Sequence, residues 1–448
     1  MVRTLTLLTG LAASLVSGQQ IGTTPESHPK LPTKRCTLSS GCQTVSTSIV
    51  LDAFQRPLHK ISDPSVPCVV GGPLCPDAAT CAANCALEGV DDYVSLGIKT
   101  EGDSLTLHQW MPDPSNPEGE YKTVSPRTYL LAEDGKNYEA VKLLGREISF
   151  DVDVSELPCG MNGAFYLSEM VMDGGRSKDK NPAGAEYGTG YCDAQCPKLD
   201  FINGEANIDK VHGACCNEMD IFEANARAKS FTPHPCNITQ VYKCSGDAEC
   251  GQSSGVCDQW GCTFNEYPKG VQDFYGLSSS SSSSSSKYTV DTTQKFTVTT
   301  QFLTDNGRED GVLVEIRRLW YQNGKLIKNA AITVDGKSTD SVNTQFCEKT
   351  SSWTMQRGGL KTMGEALGRG MVLVFSLWAD DSGFMNWLDA EGNGPCSATE
   401  GDPKLIVQQK PDARVTFSNI KWGEVGSTYA SSSGGKYAVR RVAKGLSA

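Results

Sequence analysis

The sequence has little that would take it to nucleic acid or into a membrane. Lys and Arg number 41 against 52 Asp and Glu, a formal net charge of -11, and no basic stripe interrupts that excess. Without one, the chain lacks the electrostatic footing that phosphate backbones and anionic lipid surfaces require. No apolar stretch after the N-terminus is long enough to span a bilayer. Helical periodicity is also scarce: Asp77–Leu87 and Gly359–Leu367 are the only short candidates, which argues against a helical bundle. No clean linker divides the chain, although its length alone would allow two or three domains.

What is present is strand signal. Glu147–Val154, Lys295–Phe302 and Arg414–Ile420 alternate apolar with polar residues, and Gly370–Trp378 is a continuous apolar run suited to an inner strand buried on both faces. Many short strands with few helices predict an all-β, antiparallel sandwich. The run Ser278–Ser286 has nothing apolar to bury and reads as a disordered loop within one domain. The N-terminus carries Arg3, the apolar run Leu5–Val16 and the small residues Ser17-Gly18, the pattern of a secretory signal peptide over residues 1–18. The expected organisation is that signal, a single domain over 19–430 and a flexible tail over 431–448, in a secreted, extracellular monomer.

The 18 cysteines are an even number in that secretory setting, which favours disulfides. The competing reading is a metal site, because Cys192, Cys196, Cys215 and Cys216 offer four thiols. Asn237-Ile238-Thr239 is an N-glycosylation acceptor.

The densest chemistry is Asn217-Glu218-Met219-Asp220-Ile221-Phe222-Glu223-Ala224-Asn225, with three carboxylates in six residues. Glu218 and Asp220 alternate with Met219 and Ile221 as on a strand with one polar face. On a regular strand Glu223 would point to the other face, and one extra residue in a β-bulge would return it. Glu218 and Glu223 would then lie roughly 13 Å apart at Cα, from about 3.3 Å per step. Leaning inward, their carboxyls could approach the separation of about 5–5.5 Å that a retaining glycosidase needs for nucleophile and acid/base. Two other readings stand beside this one. The cluster could be a solvated surface, or a helix on which positions five apart diverge by about 140° and cannot cooperate.

Cys215-Cys216 followed by that run resembles the active-site signature of glycoside hydrolase family 7, the fungal cellulases. Leu157–Tyr166, Tyr187–Cys196, Thr232–Cys236, Met371–Trp378 and Val415–Trp422 match the same family in order, over nearly the whole mature chain. The resemblance implies a concanavalin-like β-jelly roll with a long open substrate groove. It implies nine disulfides: Cys36–Cys42, Cys68–Cys85, Cys75–Cys81, Cys159–Cys396, Cys192–Cys216, Cys196–Cys215, Cys236–Cys257, Cys244–Cys250 and Cys262–Cys347. Glu218 then matches the nucleophile, Glu223 the acid/base, Asp220 a helper carboxylate and His234 a histidine near the site; an ordinary loop histidine is the other reading of His234. Trp378 and Trp387 match sugar-stacking platforms, although bare tryptophans more often belong to cores. Arg127, Asn162, Tyr166, Tyr191, Asp193 and Gln195 match groove-lining groups on family position alone. No cofactor and no metal is implied, and the partner is a β-1,4-glucan chain, with neither nucleic acid nor membrane.

Departures from the family point to the endo-acting type. Asn207–Cys215, Cys250–Cys257 and Asp389–Cys396 look trimmed relative to tunnel-forming cellobiohydrolases, and Phe54–His59 has no Trp where those enzymes place an aromatic entrance. Phe222 stands where many members have Trp. The Ser/Thr/Pro-rich linker and extra cysteines of a cellulose-binding module are not seen in the sequence. The expectation is an endo-β-1,4-glucanase, with a cellobiohydrolase or a non-hydrolytic glucan-binding lectin as the alternatives.

Overall fold

A computed structural model of the chain describes residues 19–116, 120–178, 180–278 and 287–429. The signal segment 1–18, the tail 431–448 and Ser279–Ser286 of the serine run lie outside the described residues. Tyr275–Gly276 and Val290–Asp291, on either side of that run, pair with each other in parallel.

Two sheets stack face to face. One is ordered Lys229–His234, Glu218–Ala224, Met161–Ser168, Met371–Ala379, Arg127–Leu131, Ser48–Leu51, with Ala140–Val141 also pairing Met371–Ala379. All of these contacts are antiparallel. The other runs Lys325–Lys328, Leu313–Gln322, Phe296–Thr304, Arg146–Asp153, Arg414–Glu424, Thr33–Thr37, Gly41–Val45. Only Thr33–Thr37 on Arg414–Glu424 is parallel along that path. The three alternating segments are strands Arg146–Asp153, Phe296–Thr304 and Arg414–Glu424, all in this second sheet, where one face meets the core.

The core between the sheets is aromatic at its centre. Phe150 stacks on Phe165 with centroids 3.9 Å apart, and Phe222, Phe375 and Phe417 close around them edge-on or tilted. Phe222 is therefore a core side chain. The apolar run Met371–Ala379 is inner, as expected: Leu373, Phe375 and Leu377 enter this core, whereas Val372 and Val374 join a second cluster on the opposite face with Tyr129, Tyr166 and Tyr191.

Both expected helices form, as Ala78–Asn84 and Gly359–Arg369. The expectation that they stood alone is corrected by further short helices, among them Thr344–Thr350 and Pro403–Gln409. These are too short to show a period, and their caps define them. Asn343 accepts from the Phe346 amide at 2.9 Å, and Asp402 accepts from the Lys404 amide with Pro403 at the first helical position.

All nine disulfides join the pairs the resemblance implies. The four thiols of the metal reading are consumed as Cys192–Cys216 and Cys196–Cys215. Among the described residues no cysteine is free, and no helix is long and apolar enough to cross a membrane.

Candidate active site

The acidic run is strand Glu218–Ala224, second from the edge of its sheet. Met219, Ile221, Phe222 and Ala224 all enter the core, so two consecutive residues, Ile221 and Phe222, point the same way. The register shows the cause: Phe165 faces Phe222 and Tyr166 faces Asp220, leaving Ile221 without a partner on Met161–Ser168. On the other side the register jumps from Asp220/Thr232 to Glu223/Ser230. This is the expected bulge, and it returns Glu223 to the face of Glu218 and Asp220. The helical and surface readings fail here, because Glu218 and Asp220 are only 7% and 6% exposed.

Each carboxylate has its own partner. The Ala194 amide donates to Glu218 Oε2 at 3.0 Å. Asn162 Nδ2, on the neighbouring strand, donates to Glu223 Oε1 at 2.9 Å. His234, on the edge strand, places Nε2 3.0 Å from Asp220 Oδ2 and donates from Nδ1 to the Asp258 carbonyl at 2.8 Å. Gly261 makes that docking possible: with φ at +68°, a Cβ there would meet Thr232 at 2.1 Å and the His234 ring at 2.8 Å.

Behind Glu218 runs a relay of hydroxyls. Tyr166 and Tyr191 share a hydrogen bond of 2.9 Å, and Tyr191 donates to Asp193 Oδ2 at 2.7 Å. Asp193 also accepts from the Gln195 amide at 2.8 Å. Arg127 lies over the Tyr191 ring at 3.6 Å and donates from Nε to Asp52 at 2.6 Å.

Trp378 sits opposite Asn162 in the ladder, next to the side chain that holds Glu223. Trp387, 45% exposed on the turn Asn386–Asp389, lies nearly parallel to it with centroids 6.3 Å apart. Asp389 anchors that turn by accepting from the Gly160 amide and Asn225 Nδ2, each at 2.7 Å, and Cys159–Cys396 pins it covalently.

The structure thus brings Glu218, Asp220, Glu223, His234, Asn162, Tyr166, Tyr191 and Asp193 together in four hydrogen-bonded groups close enough to feel one another's charge, with Arg127 stacked on Tyr191 and Trp378 and Trp387 beside Asn162. The Gln195 side chain is the exception. It turns to the Gln259 carbonyl, 2.8 Å away, on an exposed loop. Asp52, the Ala194 amide and the Asp258 carbonyl escaped sequence reasoning. Two of these act through the backbone, and Asp52 has no neighbouring charge to mark it.

Three buried carboxylates, Glu218, Asp220 and Asp193, and the half-buried Glu223 lie too close together for each to ionise independently. Burial is the largest influence on Glu218 and raises it well above the carboxylate range; the charges of Asp220 and Asp193 add, and the Ala194 amide opposes. Glu223 is pushed up to about 8, by burial first and then by Asp220, against Asn162. Burial likewise raises Asp193, whose Tyr191 hydrogen bond opposes. For His234 burial works downward, but the hydrogen bond and charge of Asp220 outweigh it and carry the imidazole up to about 9. His234 is therefore a cation at neutral pH, lodged among acids.

These shifts fix how stability responds to pH. The His234 contribution is fully present below its unfolded value near 6.5 and is lost as pH rises through about 9. Glu223 acts in the same direction, because the folded chain keeps a proton that the unfolded chain releases above about 4.3. The melting temperature should fall steadily from pH 6.5 to pH 9, and His234→Asn should flatten that fall. A melting temperature constant across this range would contradict the assignment.

The family model described as glycosyl hydrolase family 7 matches residues 21–429. The endo-β-1,4-glucanase celB of Aspergillus oryzae is 52% identical over 93% of this chain and 96% of its own. The native structure of Humicola insolens endocellulase EGI is 44% identical and superposes with a TM-score of 0.83, over 92% of this chain and all of that one. A cellobiohydrolase from Daphnia pulex, 35% identical, superposes with a TM-score of 0.84 over the same shares. Backbone likeness alone therefore does not separate internal from terminal cleavage.

Proposed function

Because this chain belongs to glycosyl hydrolase family 7, we propose that its groove cuts β-1,4-glucan chains internally and with retention, as a secreted endo-β-1,4-glucanase. The observation that carries this reading is the bulge at Ile221, which sets Glu218 and Glu223 on one face of the sheet. Glu218 is the nucleophile: against the burial and neighbouring carboxylates that raise it, the Ala194 amide aimed at its Oε2 favours the ionised form that attacks. Glu223, pushed up to about 8 by burial and by the charge of Asp220, carries the proton that it delivers to the leaving oxygen. The glycosyl-enzyme is then opened by water that Glu223 deprotonates, with net retention. Asp220, bound to the His234 cation, keeps Glu223 protonated by its negative charge. Asn162 aims the Glu223 carboxyl, and Trp378 and Trp387 offer ring faces for pyranose stacking beside it.

The endo mode is supported by the likeness to the endo-β-1,4-glucanase celB of Aspergillus oryzae and by exposed aromatics, Phe54 at 62% and Trp387 at 45%. Secretion is supported by the disulfides, which belong to oxidising compartments. Viscosity loss and reducing-end release on soluble carboxymethylated cellulose, read together, test the reading. A steep viscosity fall at little sugar release is expected. Slow viscosity loss with accumulating cellobiose would mean attack from chain ends, and no release at all would mean a binding protein only.

A further inference from the structure

Charge is buried in the core behind the acidic strand, where the mechanism above makes no use of it. Lys229 is fully enclosed, with Nζ 2.6 Å from Glu266 Oε2 and 5.1 to 5.6 Å from the ring centres of Phe264, Phe274 and Trp320. Arg318, on strand Leu313–Gln322 of the opposite sheet, is 0% exposed. These side chains place two cations against one carboxylate. An excess cation in a dry core is a cost to folding, so Arg318 is not explained by stability.

Its contacts say what it does. Arg318 Nη2 donates to the carbonyl of Ile221. The rest of the guanidinium lies over the Phe231 ring at 4.4 Å, with Nε and Nη1 finding no acceptor. Ile221 is the residue that the bulge leaves out of the register with Met161–Ser168. A bulged residue is left unpaired, and a buried carbonyl there needs a donor from elsewhere. Arg318 reaches across the sandwich to supply it.

We propose that Arg318 is a positioning residue for the reaction: by holding the Ile221 carbonyl it fixes the bulge, and through the bulge the relative placement of Glu218 and Glu223. The inference rests on the reading of those two carboxylates as the catalytic pair. A lysine would keep the charge but not the planar reach of the guanidinium.

The test compares Arg318→Met and Arg318→Lys with the parent enzyme for kcat, KM, pH–rate profile and melting temperature on a soluble β-glucan. Misplacing reacting groups by about 1 Å costs about 100-fold, so kcat of Arg318→Met should fall by that order with KM little changed. Its alkaline limb, set by Glu223, should also move, and Arg318→Lys should fall in between. A residue serving only the fold predicts the reverse: an altered melting temperature with the kcat and alkaline limb of the parent. That result overturns the proposal, as does failure of both variants to fold, which would assign Arg318 to folding alone. Glu223→Gln in the same assay separates the two levels. If it keeps the parent rate, the catalytic pair itself is misread; if it is inactive while Arg318→Met is normal, only the positioning role falls.

Discussion

Glu223→Gln should lower kcat on unmodified β-glucan by about 10²–10⁴-fold, the usual worth of a positioned general acid and base. Glutamine keeps the size and the contact with Asn162 Nδ2, so the loss isolates the proton. The variant should also lose the alkaline limb near pH 8, because that limb is Glu223 surrendering its proton. With an aryl glycoside whose leaving group needs no acid, the first step should recover, and glycosyl-enzyme should accumulate because no base remains to activate water. Glu218→Gln should be at least as damaging for every substrate, and mass spectrometry should find no covalent intermediate. Parent-like turnover in either variant would remove the double-displacement mechanism.

Asp220→Asn is the second large effect, and its sign follows from charge. Asp220 lies among carboxylates and raises both Glu223 and Glu218, while its hydrogen bond and charge raise His234. Removing that negative charge should lower Glu223, so the alkaline limb should move to lower pH. Each unit of displacement costs about tenfold in the acid-competent fraction once pH exceeds the new value. His234 loses its ion-pair partner as well and should become neutral near pH 7, which is visible as an imidazole shift by NMR. A limb that stays near 8 would mean that burial alone sets Glu223.

How much of this was legible beforehand depended on periodicity. Met219 and Ile221 alternating with Glu218 and Asp220 declared a strand, and the misplaced Phe222 declared a bulge, because a side-chain period of two leaves no other way to bring Glu223 round. The long strands were visible for the same reason. Thr344–Thr350 and Pro403–Gln409 were not, since a helix of two turns is defined by its cap rather than by a repeat. The site's first ring of side chains came from family position, and the structure brings them together except for the Gln195 side chain. Its second ring was hidden. Asp52, Arg318 and the Ala194 amide lie far from the acidic run in sequence, and nothing local marks them.

The bulge also makes the chemistry depend on residue parity. Flattening the bulge with every residue kept would turn Glu223 into the aromatic core while Glu218 stayed in the groove, whereas deleting either Ile221 or Phe222 would restore unbroken alternation with Glu223 still on the groove face. A strand flattened in that way would have one carboxylate misdirected, and the groove would accept sugar without cutting it. The face on which Glu223 emerges is thus set by the bulge and the number of residues between the two glutamates together, and by neither alone.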